Sequence, residues 1–105
     1  MAVSSLKEAG YQILERNFRC RQGEVDIIAR EGSYLCFVEV KRRRNTSSGH
    51  PYEAISPVKI RRICRTALFY LNLHQMSSAT AVRFDVISVI GNEVSLLRDA
   101  FSFQY

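Results

Sequence analysis

Two apolar segments of strand length, joined by a short turn, dominate the first half of the 105-residue chain. The segment Gly23–Ala29 reads GEVDIIA, and the segment Tyr34–Arg42 reads YLCFVEVKR. The turn residues Glu31–Ser33 between them are typical of a hairpin. The almost continuous apolar centre of the second segment indicates a strand that is buried on both faces. The chain is therefore constrained to fold as a sheet that other elements cover on both sides.

Charged side chains interrupt both segments. Because side chains alternate faces along a strand, Glu39 and Lys41 are predicted to share one face, as are Glu24 and Asp26. If the two strands pair, Asp26, Glu39 and Lys41 can converge. Burying ionised carboxylates is costly unless they are paired or bind a metal. The order D-(x)12-E-x-K supplies two acids for a divalent cation and a lysine beside the attacking water, which metal-dependent phosphodiester hydrolysis requires.

The length and composition favour one compact domain spanning residues 1–105. No apolar stretch approaches the roughly 20 residues of a membrane span, and the N-terminal residues lack a hydrophobic signal core. The three cysteines are odd in number and form no CxxC pair, so the sequence suggests neither a disulfide framework nor a zinc site. A reducing cytoplasm is the expected compartment.

The net charge of +5 is unevenly distributed. Residues 41–65 hold eight basic residues against Glu53 alone and carry +7, whereas the rest of the chain carries −2. The basic residues are Lys41, Arg42, Arg43, Arg44, Lys59, Arg61, Arg62 and Arg65. Such density favours a polyanion, and phosphate backbones are the commonest one. The alternative is a solvated basic surface that maintains solubility.

The pattern of the whole chain predicts an α/β fold, a mixed sheet flanked by helices in the order α-β-β-β-α-β-β. The second helix is predicted to begin with Ser56 as N-cap and Pro57 in the first turn. A polar loop is expected at Asn45–Pro51. The remaining predicted elements are a helix at Val3–Gly10 and strands at Tyr11–Arg19, Gly23–Arg30, Tyr34–Arg42, Val82–Ile90 and Val94–Leu97.

Four ordered blocks resemble the YraN-like family of bacterial proteins. They are Gly10–Arg19, Gly23–Ala29, Phe37–Arg42 and Arg83–Val86. That family looks like a branch of the PD-(D/E)XK nuclease superfamily, close to archaeal Holliday-junction resolvases. The resemblance covers nearly the whole chain and implies a restriction-endonuclease-like fold.

The resemblance also implies roles for single residues. Asp26 and Glu39 would be metal ligands, with the Val40 carbonyl as a third oxygen donor, and oxygen ligands suit Mg²⁺ or Mn²⁺. Lys41 would position or activate the attacking water and stabilise charge at the phosphorus. Glu24 would either join the site as an accessory acid or stand in solvent.

In relatives, a longer first helix carries a further glutamate before the segment that matches Leu6. This sequence begins after that point, so either the chain is truncated at its start or the site works with fewer acids. Asp85 and Arg83 lie together in an apolar strand and are expected to satisfy structural partners.

Three functions remain open at this stage. The first is a metal-dependent endonuclease that acts on DNA, including branched or junction DNA, and binds the backbone by charge. The second is a non-catalytic nucleic-acid-binding module on a nuclease fold. The third is a small structural protein whose acids and lysine form cross-strand ion pairs. The residues leave open the choice between DNA and RNA, and a homodimer is a further arrangement to test.

Overall fold

The computed structural model describes residues 1–43 and 55–104. The elements are α1 (Ala2–Glu8), β1 (Gln12–Cys20), β2 (Gly23–Glu31), β3 (Tyr34–Arg43), α2 (Pro57–Leu73), β4 (Val82–Ile90) and β5 (Glu93–Phe101). This order confirms the predicted α-β-β-β-α-β-β succession. Arg44 and the predicted loop Asn45–Pro51 lie outside the described residues.

The five strands form one mixed sheet in the order β1-β2-β3-β4-β5. The pairs β1/β2, β2/β3 and β4/β5 are antiparallel, whereas β3 and β4 are parallel. A parallel pair needs a crossover connection, and α2 lies within it. The central strand β3 is buried from Leu35 to Glu39, as its apolar sequence predicted. The arrangement is consistent with a restriction-endonuclease-like fold.

Each face of the sheet is covered by one helix. The α2-side core contains Phe18, Val25, Ile28, Leu35, Phe37, Ile63, Cys64, Ala67, Tyr70, Leu71 and Phe84. The α1-side core contains Ala2, Leu6, Tyr11, Ile27, Ala29, Cys36, Val38, Ile87 and Val89. Because β3 contributes alternate residues to the two cores, its apolar centre is used on both faces.

The second helix begins where the sequence predicted. Ser56 is the N-cap, its Oγ accepts a hydrogen bond from the Lys59 N–H at 3.2 Å, and Pro57 occupies the first turn. The buried face of α2 includes Thr66 and Tyr70 as well as smaller apolar residues. Thr66 is tolerated there because its hydroxyl donates to the Arg62 carbonyl oxygen at 2.8 Å.

The last strand is longer than predicted. The sequence indicated a strand ending at Leu97, but β5 continues to Phe101, whose Cα pairs with that of Phe84. The two rings stack with centroids 5.0 Å apart. Polar residues and a register shift interrupt the apolar pattern of β5, and Asp99 adopts a positive φ of 55°. These features hide the strand from a periodicity argument.

A network of charged and hydroxyl groups lies on the α1 side of the sheet. We call this set of five residues (Tyr11, Glu31, Arg83, Asp85 and Arg98) the Asp85 brace. Asp85 is wholly buried and accepts from the Tyr11 hydroxyl at 2.6 Å and from Arg83 at 2.8 and 2.9 Å. Arg83 also donates to Glu31 at 2.6 Å, and Arg98 donates to both Glu31 oxygens. The expectation that Asp85 and Arg83 have structural partners is confirmed.

Candidate functional site

The pairing of β2 with β3 stops at Ile27, next to the acidic residue Asp26 of β2. The last paired residues are Ile27 and Val38, and Asp26 lies just beyond them. The Asp26 carboxylate instead accepts a hydrogen bond from the backbone N–H of Val40 at 2.8 Å. A side chain thus satisfies a backbone donor of β3 where the two strands part. This contact holds the Asp26 carboxylate at the gap between the strands.

The alternation of side chains is broken at the same point. Val25 packs in the α2-side core and Ile27 in the α1-side core, although the two residues are two positions apart. The prediction of regular alternation through Gly23–Ala29 was therefore wrong at Asp26. The neighbouring strand changes with it. Asn17 and Asp26 are skipped between the paired residues of β1 and β2, and Asn17 has a φ of 54°.

A left-handed conformation is unusual for any residue other than glycine, and asparagine is among the few that tolerate it. Asn17 therefore lets β1 follow the break in β2 without a glycine. Asn17 was not predicted from the sequence to have a special role. An asparagine in the middle of a strand pattern, between Arg16 and Phe18, was the available signal, since asparagine is depleted in strands.

Glu39 is buried and lies within hydrogen-bonding reach of Asp26. We call these two residues the acid pair. Burial and, next, the neighbouring Asp26 carboxyl raise the pKa of Glu39 from 4.5 to about 7, while Lys59 opposes the shift. At neutral pH the two carboxyl groups therefore require a shared proton or a nearby cation.

Lys59 supplies such a cation. Its ammonium group forms an ion pair with Oε2 of Glu39. Among the residues that the structure describes, however, this buried oxygen has no hydrogen bond of acceptable geometry. The sequence grouped Lys59 with the basic residues that favour binding to a polyanion. Its position one turn into the helix instead brings the side chain to the acid pair.

Lys41 lies on the same side of β3 as Glu39. The register between β3 and β4 is unbroken from Leu35 to Arg43, so residues 39 and 41 project from the same face. Lys41 is half-buried. The structure thus brings Asp26, Glu39 and Lys41 to one end of the sheet, with Val40 between the last two.

Glu24 occupies a different environment. Its carboxylate is exposed and ion-paired with Arg19 on β1, with Arg19 Nε 2.9 Å from Oε2. Of the two alternatives left open by the sequence, this placement corresponds to the solvent-facing one. In the described parts of the chain, no group of three or more His, Cys, Asp or Glu side chains could hold a metal ion.

One cavity is lined by Asp26 of the acid pair, and a second is lined by Lys59, which contacts Glu39. The α1-side cavity has a volume of about 220 Å³, and its walls include Asp26, Val40, Arg16 and Arg42. The α2-side cavity has a volume of about 450 Å³ and lies between the start of β2 and the first turns of α2. Lys59 and Arg62 line the second cavity together with the acidic Glu24. Both cavities are therefore bordered by cationic side chains.

The predicted basic residues fall into distinct settings. Lys59, Arg62 and Arg65 are exposed and recur every three residues on α2, and we call them the basic stripe. Arg61 is half-buried on another side of the helix. On β3, Arg42 is exposed and Arg43 is half-buried. The basic stripe and Arg42 thus form the accessible part of the +7 segment within residues 1–43 and 55–104.

Neither described helix has the length and apolar character that a membrane span requires.

Comparison with known proteins identifies the family. A family model described as "Uncharacterised protein family UPF0102" matches residues 1–89. The chain is 51% identical over 100 residues to a UPF0102 protein of Lachnoclostridium phytofermentans, covering 95% of this chain and 85% of that relative. It is also 49% identical over 109 residues to a UPF0102 protein of Syntrophus aciditrophicus, covering 100% and 85%. A UPF0102 protein of Geotalea daltonii is 47% identical over 110 residues, covering 100% and 86%. The chain therefore belongs to the UPF0102 family, the YraN-like proteins that its sequence blocks resemble.

Proposed function

We propose that this protein is a metal-dependent endonuclease that hydrolyses phosphodiester bonds in DNA, including branched or junction DNA. The observation that carries the proposal is the acid pair, two carboxyl groups in contact where β2 and β3 part. One of its oxygens, Oε2 of Glu39, is buried without a well-formed hydrogen bond among the described residues. Buried polar atoms are usually satisfied, and an exception calls for an explanation such as a catalytic role or a bound ion.

The donor set of the acid pair fits a hard divalent cation. Two adjacent carboxylates repel each other unless a proton or cation lies with them. Carboxylate oxygens of Asp26 and Glu39, with the Val40 carbonyl as a third donor, suit Mg²⁺ or Mn²⁺ better than zinc. When bound, such an ion supplies Lewis-acid polarisation of the phosphoryl oxygen and a more acidic water.

The other residues of the proposed site act on the substrate and on water. Lys41 projects from the same face as Glu39, where its ammonium would orient the attacking water and stabilise negative charge developing at the phosphorus. An accessory role for Glu24 would require its carboxylate to leave Arg19, its partner in an exposed ion pair. Exposed pairs of this kind are weak, so the exchange costs little.

Nucleic acid would be held by charge. Arg42 lines a cavity with Asp26, and Lys59 contacts Glu39. The exposed side chains of Arg62 and Arg65 continue the basic stripe along α2. Contacts from lysine and arginine to phosphates position a protein on nucleic acid without reading its sequence. We therefore propose weak sequence preference and a steep dependence of affinity on salt concentration.

A cleavage assay on the purified full chain tests the proposal. Linear duplex, flapped and four-way-junction DNA would be incubated with Mg²⁺ or Mn²⁺, with a chelator as the metal-free control. Cleavage should require the metal and should fall by on the order of 10² to 10³ in Glu39→Gln and in Lys41→Met. Glu8→Gln is the matched control, because it removes an exposed acid that lies outside the proposed site.

Full activity in a folded Glu39→Gln protein would refute the assignment of the site and indicate a contaminating nuclease. Equal activity on RNA of the same shape would move the proposal from DNA to nucleic acid in general.

A second candidate is a nucleic-acid-binding module that does not cut. The observation in its favour is the Lys59 ion pair, which already neutralises one charge of the acid pair without a metal. The same assay separates the two candidates. Salt-dependent binding of DNA with no cleavage in either metal, and with no effect of Glu39→Gln, would favour the binding module.

A further inference from the structure

Lys59 lies at a position where a helix disfavours positive charge. It is the third residue after the N-cap Ser56, and the first turn of α2 contains no acidic residue. The N-terminus of a helix carries a partial positive charge, so a lysine there is destabilising on its own. The contact with Glu39 offsets this cost. Lys59 therefore stabilises the first turn of α2 only through its contact with the acid pair.

The two ends of this ion pair differ in their access to solvent. The side chain of Glu39 is 7% exposed, whereas that of Lys59 is 55% exposed. Lys59 also lines the α2-side cavity together with Arg62. The ammonium can therefore leave the buried oxygen for the cavity by rotation about side-chain bonds, with no movement of the backbone, which Ser56 holds.

A cation at Oε2 of Glu39 excludes a second one. An ammonium group and a divalent ion that share one buried oxygen would repel each other strongly in a low-dielectric setting. The oxygen that Lys59 contacts belongs to Glu39, a proposed metal ligand. Metal binding and the Lys59 contact are therefore alternatives for the same atom.

We propose that Lys59 is the built-in counter-ion of the metal-free site, which a divalent cation displaces and which then binds a substrate phosphate in the α2-side cavity beside Arg62. The inference rests on the proposed metal site. Lys59 is a positioning residue that couples the two ligands. A phosphate that binds the Lys59 ammonium keeps it away from Glu39 and so raises the affinity of the site for the metal. By linkage, the metal raises the affinity for phosphate by the same factor.

Calorimetric titration of Mn²⁺ into the full chain at pH 8, without nucleic acid, tests the first step. Lys59→Met should bind Mn²⁺ more tightly than the wild type by on the order of tenfold to a hundredfold, the usual range for coupled sites. Lys59→Arg keeps the charge and should stay near the wild type. Arg21→Met is the matched control, since it removes an exposed charge outside the proposed site that is screened by salt, and should change the affinity by less than about threefold.

A second titration tests the coupling to phosphate. A short duplex with hydrolysis-resistant phosphorothioate linkages should raise the Mn²⁺ affinity of the wild type more than that of Lys59→Met. The difference between the two gains measures the part of the coupling that passes through Lys59. Equal gains would overturn the transfer of the ammonium to phosphate.

The outcomes separate this inference from the proposed function. Mn²⁺ binding that is equal in wild type and Lys59→Met, or weaker in the variant, overturns the counter-ion role and leaves the metal site intact. The absence of Mn²⁺ binding in both proteins, with circular dichroism showing both folded, overturns the metal site and the inference together.

Discussion

The sheet carries two groups of buried acids, and they are built in opposite ways. In the Asp85 brace, Asp85 accepts hydrogen bonds from Tyr11 and Arg83, and the Asp99 N–H adds another at 2.9 Å. In the acid pair, Glu39 faces another carboxyl group and retains an oxygen without a well-formed hydrogen bond among the described residues. One group is satisfied by hydrogen-bond donors fixed within the fold, whereas the other depends on the exposed ammonium group of Lys59.

This difference separates structural acids from candidate functional ones. Both groups lie on strands of the same sheet, and both contain a wholly or nearly buried carboxyl group. Burial alone therefore does not mark function in this molecule. The distinguishing property is whether fixed protein donors balance the charge, because an unbalanced buried charge is costly and persists where it serves a ligand.

The largest effect is expected from breaking the brace. Asp85→Ala should lower the free energy of unfolding by about 3 to 5 kcal/mol, because it leaves the Arg83 guanidinium buried without its main partner. Urea denaturation followed by circular dichroism measures the loss. Glu24→Ala removes an exposed acid from an ion pair and should cost no more than about 1 kcal/mol. Similar losses in the two variants would contradict the contrast drawn here.

The acid pair should respond in the opposite direction. Glu39→Gln is expected to stabilise the metal-free protein at pH 8 by up to about 3 kcal/mol, since the pKa of Glu39 is raised from 4.5 to about 7. Between pH 4.5 and about 7, Glu39 is protonated in the folded chain and ionised in the unfolded chain, so the folded chain binds more protons. Wild-type stability should therefore fall as pH rises from about 4.5 to 7 and then level off.

Unfolding free energies of wild type and Glu39→Gln, measured with a chelator at several pH values from 4.5 to 8.5, test this. The two curves should coincide near pH 4.5 and separate as pH rises. A difference in unfolding free energy that stays constant from pH 4.5 to 8.5 would mean that ionisation of Glu39 does not destabilise the fold.

Glu31 of the brace should show the reverse pH dependence. Hydrogen bonds from Arg98 and then from Arg83 lower the pKa of Glu31 from 4.5 to about 2. This contribution is complete above pH 4.5 and is lost as pH falls through 2. Glu31→Gln should cost about 1 to 2 kcal/mol at pH 7, after allowance for partial exposure, and should flatten the acid limb of the stability curve. If the stability of Glu31→Gln falls at low pH as steeply as that of the wild type, the charge of Glu31 does not stabilise the fold.

The sequence predicted the order of elements and the start of α2 because these depend on local signals. Hydrophobic periodicity and the Ser56–Pro57 cap act within a few residues of each other. The break at Asp26 and the contact from Lys59 depend on which strands and helices meet in space. A charged residue off the apolar stripe of a helix is normally assigned to solvent, so Lys59 gave no signal of its contact with a residue 20 positions earlier.

The smallest effect on folding is expected in the basic stripe. Its variants and those of the Asp85 brace can be compared both in stability and in DNA binding. Arg62→Ala with Arg65→Ala should leave the free energy of unfolding within about 0.5 kcal/mol of the wild type, because both side chains are exposed. The same double variant should reduce the slope of log affinity for duplex DNA against log salt by about 2, since each phosphate contact contributes about 0.9. Fluorescence anisotropy at several salt concentrations measures this slope.

Arg98→Ala provides the reciprocal change. Its guanidinium is already paired with Glu31 in the brace, so its loss should cost about 1 kcal/mol of stability and leave the salt slope unchanged. The contrast fails if Arg98→Ala flattens the slope as much as the double variant does, because DNA would then contact the brace. The contrast is strengthened if Arg98→Ala changes only the free energy of unfolding and the double variant changes only the salt slope. The charges that are paired within the fold and the charges that bind a polyanion would then be distinct sets of residues.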